Sequence, residues 1–128
     1  MLDYDKNIAT VNHMTKSKVL IAKSKRGVDD NGIKNIYFEK LDANLNRKIT
    51  TANHMTNLKE LHTYGFCGID NNGIKNINLE ILDASSNQKI TDEKHMTDLK
   101  ELWMNKNHGT LPINAKKSKR YYHQLMRT

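Results

Sequence analysis

The fold of this chain is decided by the stretch ITTANHMTNLKELHTYGFCGIDNNGIKNINLEILDASSNQK, residues 49–89. The same 41-residue phrase is present on both sides of it, as a first copy in residues 8–48 and as the opening of a third in residues 90–109. The tripeptide HMT, which fixes the register of the three copies, begins at His13, His54 and His95. Self-similarity at a fixed period indicates a repeat protein, in which neighbouring units stack and bury a continuous core.

Each 41-residue block divides into two unlike units of 20 and 21 residues. One unit has the spacing L-x-x-L-x-A-x-x-N-x-x-I, formed by Leu79, Leu82, Ala84, Asn87 and Ile90. Alternate side chains of a β-strand point to opposite faces, so the first, fourth and sixth positions are expected to point inward and those between them outward. We therefore predict one short strand in every unit.

Two further sets of repeated residues are expected to be buried. The ninth-position asparagines would bond the backbone of neighbouring coils where the chain turns. They are Asn46, Asn87 and Asn107. The return side carries apolar residues that are expected to anchor the core on short helical or 3₁₀ turns. They are Met14, Met55, Met96, Ile33, Ile36, Ile74 and Ile77.

The phrases HMTNLKEL, GIDNNGIKN and LEILDASSN resemble leucine-rich-repeat proteins over roughly residues 17–111, in particular viral proteins encoded by giant DNA viruses of amoebae, or those of similarly AT-rich eukaryotes. The resemblance implies an α/β repeat, a solenoid of about five short coils with a parallel concave sheet and a short helical or irregular convex side. It also implies a surface that binds proteins. It implies no activity, because a fold does not determine a function.

Three segments are expected along the chain: an N-terminal partial repeat or cap in residues 1–16, the solenoid in residues 17–111 and a basic tail in residues 112–128. The first copy is more polar than the second, with Ser17 in place of a leucine. A terminal coil has a neighbour on one side only, so this polarity fits a cap; decay of the gene is the competing explanation. Pro112 lacks the N–H that a ladder needs and is expected to end the repeats.

The net charge of +7 is concentrated at the two ends of the chain. Residues 1–26 carry +4, residues 27–111 carry −2 and residues 112–128 carry +5. No stretch approaches the eighteen or so consecutive apolar residues of a membrane span, and the first residues have no apolar run behind a basic start. The single cysteine agrees with a reducing compartment. We therefore expect an intracellular protein without membrane contact, and the basic tail is a candidate nuclear signal.

The candidate metal sites have simpler interpretations. The HMT histidines occupy the same position in three different coils, and no second metal ligand accompanies any of them, which favours a structural role. The tracts VDDNG, residues 28–32, and IDNNG, residues 69–73, are acidic like calcium loops but lack the bidentate Glu and the ligand order. Asn-Gly is a strong turn signal, so turns are predicted here, with Gly32 and Gly73 at positive φ. No metal or cofactor is expected.

Cys67 and His62 lie a few residues apart, and a Cys/His pair can form a nucleophilic dyad. Cys67 is near the ninth position of its unit, however, so a buried small hydrophobic role is favoured over catalysis. The sequence contains no G-x-x-x-x-G-K-[ST], G-x-S-x-G or H-E-x-x-H motif. The chain is therefore predicted not to be an enzyme.

The outward strand positions are the predicted functional surface. One column contains Ile21, Asp42, His62, Asp83 and Trp103. The flanking columns contain Val19, Lys40, Glu60, Ile81 and Glu101 on one side, and Lys23, Asn44, Tyr64, Ser85 and Asn105 on the other. Exposed aromatic residues are favoured anchors of interfaces. The predicted protein-binding residues are therefore His62, Tyr64, Asp83, Glu101 and Trp103. The alternative, in which Trp103 only covers the open end of the stack, stays open.

The tail is the second candidate surface. Its cations, Lys116, Lys117, Lys119 and Arg120, resemble a nuclear-localisation cluster or a phosphate-contacting arm, although a solvated or capping tail is the commoner role of such a run. The leading function is a module, monomeric or dimerised end to end, that binds an unidentified protein partner. The alternatives are a basic accessory protein that contacts nucleic acid through its charged ends, and a decayed fragment without a partner.

Overall fold

The computed structural model describes Leu2–Asp3, residues 18–23 and residues 27–104. Within these residues one parallel sheet contains six short strands in chain order. The strands are β1 (Leu2–Asp3), β2 (Val19–Ile21), β3 (Lys40–Asp42), β4 (Glu60–His62), β5 (Ile81–Asp83) and β6 (Glu101–Trp103). The single-turn helices α1 (Asp30–Ile33) and α2 (Asn71–Ile74) follow β2 and β4. The predicted repeat solenoid, with a parallel sheet and a mostly irregular return side, is confirmed.

The register of the sheet follows the two unlike units. From β2 to β6, paired residues are separated by 21, 20, 21 and 20 positions in turn. The middle residue of each of these strands is a fully buried leucine opposite the next: Leu20, Leu41, Leu61, Leu82 and Leu102. Since side chains alternate along a strand, this leucine ladder forms the inner face and the flanking residues point outward.

A single hydrophobic cluster runs through the coils. The predicted inward positions one, four and six are buried in each complete unit, as Leu79, Leu82 and Ala84 show. The return-side anchors are buried as well, namely Met55, Met96, Ile33, Ile36, Ile74 and Ile77. Met14 lies outside the described residues. Both sides of the stack therefore close on one core, as the repeat predicts.

Two buried asparagines join the coils. Asn46 Nδ2 donates to Ala22 O at 2.6 Å and to Val28 O at 3.2 Å. In the next copy Asn87 Nδ2 donates to Thr63 O and Ile69 O in the same way. The predicted role of the ninth-position asparagine is confirmed at these two positions, while Asn107 lies outside the described residues.

The Asn-Gly tracts form helical turns, and their predicted positive φ is wrong. Gly73 lies within α2, where its N–H donates to the N-cap Asp70 Oδ1 at 3.0 Å. Its missing side chain serves a different purpose, because a Cβ there would lie 2.2 Å from Thr50 O of the preceding coil. The same correction applies to Gly32, which lies within α1. Positive φ is found instead just after the strands, at Leu45, Gly65 and Ser86.

The described part of the chain contains no helix long and apolar enough to cross a membrane. Apart from Leu2–Asp3, the expected cap of residues 1–16 lies outside the described residues. The expected tail, residues 112–128, lies outside them too. Both boundaries therefore stay sequence predictions.

Candidate functional site

The outward face of the sheet consists of two columns in the predicted register. We name them together the sheet face. The central column is Ile21, Asp42, His62, Asp83 and Trp103. The flanking column is Val19, Lys40, Glu60, Ile81 and Glu101. All ten side chains are partly exposed, so the backbone presents a continuous surface that differs in chemistry from coil to coil.

Three charged residues and a histidine in the middle of the sheet face form a chain of contacts. Lys40 Nζ lies 3.2 Å from Glu60 Oε2, and His62 Nε2 donates to the same carboxylate oxygen at 2.6 Å. The other ring nitrogen, His62 Nδ1, lies 3.7 Å from Asp83 Oδ2. His62 is thus held between two carboxylates from its own and the next strand.

The pKa values of these groups follow from the contacts. Partial burial alone would lower the pKa of His62, but its contacts with Asp83 and Glu60 outweigh that effect and raise it. Burial alone would raise the pKa of Asp83 and Glu60, but hydrogen bonds from His62 and other donors lower both. Two of the face's carboxylates are therefore stabilised in their charged form.

Trp103 and Glu101 form the described end of the sheet face. The indole Nε1 of Trp103 donates to Glu101 Oε1 at 2.7 Å, two residues earlier on the same strand. Their contact fixes the orientation of the indole, and the ring is only partly exposed. Whether Trp103 anchors a partner or covers the end of the stack stays a prediction.

The third predicted column lies beyond the strand ends. Tyr64 is 42% exposed there, and its N–H donates to Asn44 Oδ1 at 2.7 Å. Ser85, expected at the surface, is buried, and its hydroxyl and N–H both donate to Asp83 Oδ1. Asn105 lies outside the described residues. Of this column only Lys23, Asn44 and Tyr64 therefore add to a contact surface.

Sequence reasoning missed an exposed apolar group beside Tyr64. Phe66 is 71% exposed and Leu45 is 40% exposed, and the guanidinium carbon of Arg47 lies 5.2 Å from the centre of the Phe66 ring. The signal was present in the comparison of copies, because Phe66 corresponds to Lys25 in the first copy and Asn107 in the third. The apolar side chains are thus peculiar to the middle of the stack.

Cys67 is completely buried, and burial raises the pKa of its thiol to about 11. A thiol with that pKa is protonated at neutral pH and is not a nucleophile. The predicted role of Cys67 as a buried small hydrophobic residue is confirmed. Phe66 occupies the ninth position by count but points to solvent, while Cys67 fills the interior instead.

The repeated histidines and acidic tracts bridge adjacent coils. His54 Nε2 donates to Ile33 O at 3.0 Å, and His95 Nε2 donates to Ile74 O at 2.8 Å. Asp30 Oδ1 accepts from Thr50 N at 2.7 Å. The structural interpretation is confirmed for these residues, while His13 lies outside the described ones. Across the described residues, His, Cys, Asp and Glu form no group of three that could hold a metal ion.

The tail cations, Lys116, Lys117, Lys119 and Arg120, lie outside the described residues, so that candidate site stays a sequence prediction. The described residues define a class of protein, a parallel-sheet solenoid with one strand in each coil of 20 or 21 residues. No protein-family model, curated protein or solved structure matches the chain.

Proposed function

We propose that the protein is a non-enzymatic interaction module of the leucine-rich-repeat kind, which binds a protein partner on its sheet face. One contrast supports this proposal: the inward ladder repeats leucine in every coil, whereas the central column changes from coil to coil. A repeated core holds such a surface in place without restricting its composition. Extended surfaces of this type are what repeat proteins use to bind partners.

The composition of the sheet face favours a basic partner. Its acids are Asp42, Glu60, Asp83 and Glu101, and they outnumber its single lysine. The lowered pKa values of Glu60 and Asp83 keep both charged at neutral pH. Complementary charge gives an interface its specificity and speeds encounter. A segment that carries Lys or Arg beside an apolar side chain would meet both the acids and Trp103.

The test is affinity capture from the source cells with the full chain as bait, followed by quantitative mass spectrometry and calorimetry on the purified partner. We expect Asp83→Asn combined with Trp103→Ala to weaken partner binding at least about tenfold, because an aromatic anchor and a charge are removed together. Circular dichroism and the cooperative melt should stay close to those of the unchanged protein.

The matched control is Tyr37→Asn combined with Lys75→Gln, which also removes one aromatic ring and one charge. Both residues are exposed and neither belongs to the sheet face, and Asn is the residue that the next copy has in place of Tyr37. Full recovery of the partner by this control is expected. Equal affinity of the sheet-face variant and the unchanged chain would place the interface elsewhere.

A further inference from the structure

The turns that follow the strands form a second surface, which we name the carboxyl edge. It comprises the described residues 22–23, 43–49, 63–69 and 84–90. Backbone hydrogen bonds join these turns, since Leu45 N donates to Tyr64 O at 3.0 Å and Gly65 N donates to Ser85 O at 2.9 Å. The turns therefore lie side by side at the spacing of neighbouring strands, about 4.8 Å.

Every charged side chain of the carboxyl edge is a cation. The four cations, all exposed, are Lys23, Arg47, Lys48 and Lys89. Acids border this edge: Asp42 and Asp83 end the strands and accept hydrogen bonds from the backbone two residues later, and Asp30 accepts from Thr50 N just after residues 43–49. A surface with one sign of charge, on a solenoid body that is slightly acidic, attracts anions.

The opposite edge of the sheet shows that this arrangement is local. Lysines there face glutamates of the adjacent coil, with Lys18 Nζ 3.0 Å from Glu39 Oε2 and Lys100 Nζ 3.2 Å from Glu80 Oε1. The repeat thus neutralises its charge on one edge and accumulates positive charge on the other. The positive charge of the carboxyl edge is therefore not balanced by acids within it, which favours contact with a polyanion.

The exposed aromatic rings lie between the cations along the stack. Tyr64 and Phe66 follow β4, Lys23 follows β2, Arg47 follows β3 and Lys89 follows β5. From β2 to β5 the edge is about 14 Å long at the strand spacing. Leu45 lies over Gly65, the residue between the two rings, since a Cβ on Gly65 would be 2.6 Å from Leu45 Cδ2. Two rings with an apolar neighbour therefore stand between cations on both sides.

We propose that the carboxyl edge binds single-stranded nucleic acid, with bases stacked on Tyr64 and Phe66 and phosphates paired with Arg47, Lys48 and the flanking lysines. Aromatic platforms within a basic surface are how proteins bind single strands without sequence preference. An acidic peptide would pair with the cations and leave the rings uncovered, and an apolar protein surface would do the opposite. A polyanion with aromatic bases engages both, at a site separate from the sheet face.

The experiment uses the full chain and fluorescein-labelled oligo-dT and oligo-rU of about 12 nucleotides, with binding followed by fluorescence anisotropy across a salt series. Tyr64→Asn with Phe66→Asn, which introduces the residues of the third copy, should weaken binding about tenfold or more without changing the salt dependence. Arg47→Gln with Lys48→Gln removes two phosphate contacts. It should make the slope of log affinity against log salt less steep by about 1.4.

Two full-chain controls locate the site. Tyr37→Asn with Lys75→Gln should bind like the unchanged protein, and Gln substitution of Lys116, Lys117, Lys119 and Arg120 should leave the effect of the Tyr64 and Phe66 changes intact. Circular dichroism first checks that the aromatic variant (Tyr64 and Phe66) and the charge variant (Arg47 and Lys48) are folded. If the aromatic variant does not fold, the salt dependence of the charge variant alone tests the proposal.

Four results would overturn the proposal. The first is that the full chain does not bind either oligonucleotide at low salt, and the second is that the Tyr37 and Lys75 control weakens binding as much as the edge variants do. The third is that the tail substitutions abolish binding while the edge variants do not. The fourth is that polyglutamate competes with the labelled oligonucleotide as strongly as unlabelled oligo-dT does. The last result would identify an acidic protein as the ligand.

Discussion

At the residue scale, the coils are joined by polar side chains that the interior cannot leave unsatisfied. Asn87 is almost completely buried, and its amide donates to Thr63 O at 3.0 Å and to Ile69 O at 3.1 Å. Its own Oδ1 accepts from Lys89 N at 3.1 Å. One side chain therefore satisfies two buried carbonyls of the preceding coil and one part-buried N–H of its own coil.

Replacing Asn87 with alanine should destabilise the fold strongly. The change leaves two buried carbonyls without their partner, which we expect to cost about 2–3 kcal/mol. Urea denaturation followed by circular dichroism measures it. The adjacent, exposed Gln88→Ala should stay within about 0.5 kcal/mol of the unchanged protein. Similar losses of unfolding free energy in both variants would mean that the hydrogen bonds of the Asn87 side chain do not hold the coils together.

Glu93 is a buried residue that fits its coil poorly. It occupies the position that Ala52 has in the second copy, and both side chains are fully buried. Among the described residues neither of its carboxylate oxygens has a hydrogen-bond partner. Burial, followed by repulsion from Asp92, raises the pKa of Glu93 to about 7. The side chain is thus tolerated when protonated and destabilising when charged.

The stability of the fold should consequently depend on pH between about 4.5 and 7. The folded-state pKa of Glu93 is raised above its ordinary value of 4.5, so the cost of burying its charge is absent below that pH and grows as the pH rises toward 7. At pH 8 the charged group costs about 3 kcal/mol, at about 1.36 kcal/mol for each pKa unit. Glu93→Ala should remove most of this cost.

Thermal melts of the unchanged protein and Glu93→Ala across this pH range measure the effect. The melting temperatures of the two proteins, plotted against pH, should converge near pH 4.5 and separate toward pH 8. Asp98→Asn, which removes an exposed carboxylate, is the control and should follow the unchanged protein. Parallel curves for the unchanged protein and Glu93→Ala would show that Glu93 does not titrate in this range.

At the scale of the elements, the distance between adjacent coils is limited by backbone contacts. α2 is a single turn capped by Asp70, too short to be stable by itself, and it packs on the preceding coil. Ala52 N donates to Gly73 O at 2.9 Å. This close approach explains why Gly73 is a glycine within a helical turn, where other residues are normally preferred.

Gly73→Ala tests that constraint. In a solvent-exposed helix the change would stabilise by up to about 1 kcal/mol, but here the new Cβ would meet Thr50 O at 2.2 Å. We expect a loss of at least about 2 kcal/mol in the free energy of unfolding, measured by urea denaturation. Asn72→Ala, at the exposed preceding position of α2, controls for the helix and should have little effect. A stabilised Gly73→Ala variant would refute the close-packing explanation.

At the scale of the whole molecule, one repeated interior supports surfaces of different character. The sheet face carries acids with Trp103, the edge at which the strands begin pairs lysines with glutamates, and the carboxyl edge carries only cations around two rings. Residues about 20 positions apart become neighbours, so changes that are scattered in the sequence gather on one surface. The two proposed sites therefore occupy different sides of the same stack.

The sequence by itself determined the architecture, because the 41-residue period and the inward leucines specify a strand per unit whatever lies on the surface. It also determined the sheet-face register and the roles of Asn46 and Asn87, since both follow from the phase of the repeat. These features depend on local alternation and on the equivalence of copies, which a sequence shows directly.

Only the tertiary structure decided the features that depend on contact between coils. Gly73 is required by the carbonyl of Thr50 rather than by its own φ, and Phe66 is turned outward while Cys67 fills the core. The grouping of cations and rings at the carboxyl edge was equally hidden. In each case the deciding contact is made with another coil or across the same turn. The distance between the two contacting groups is set by packing, and the spacing of residues along the sequence does not encode it.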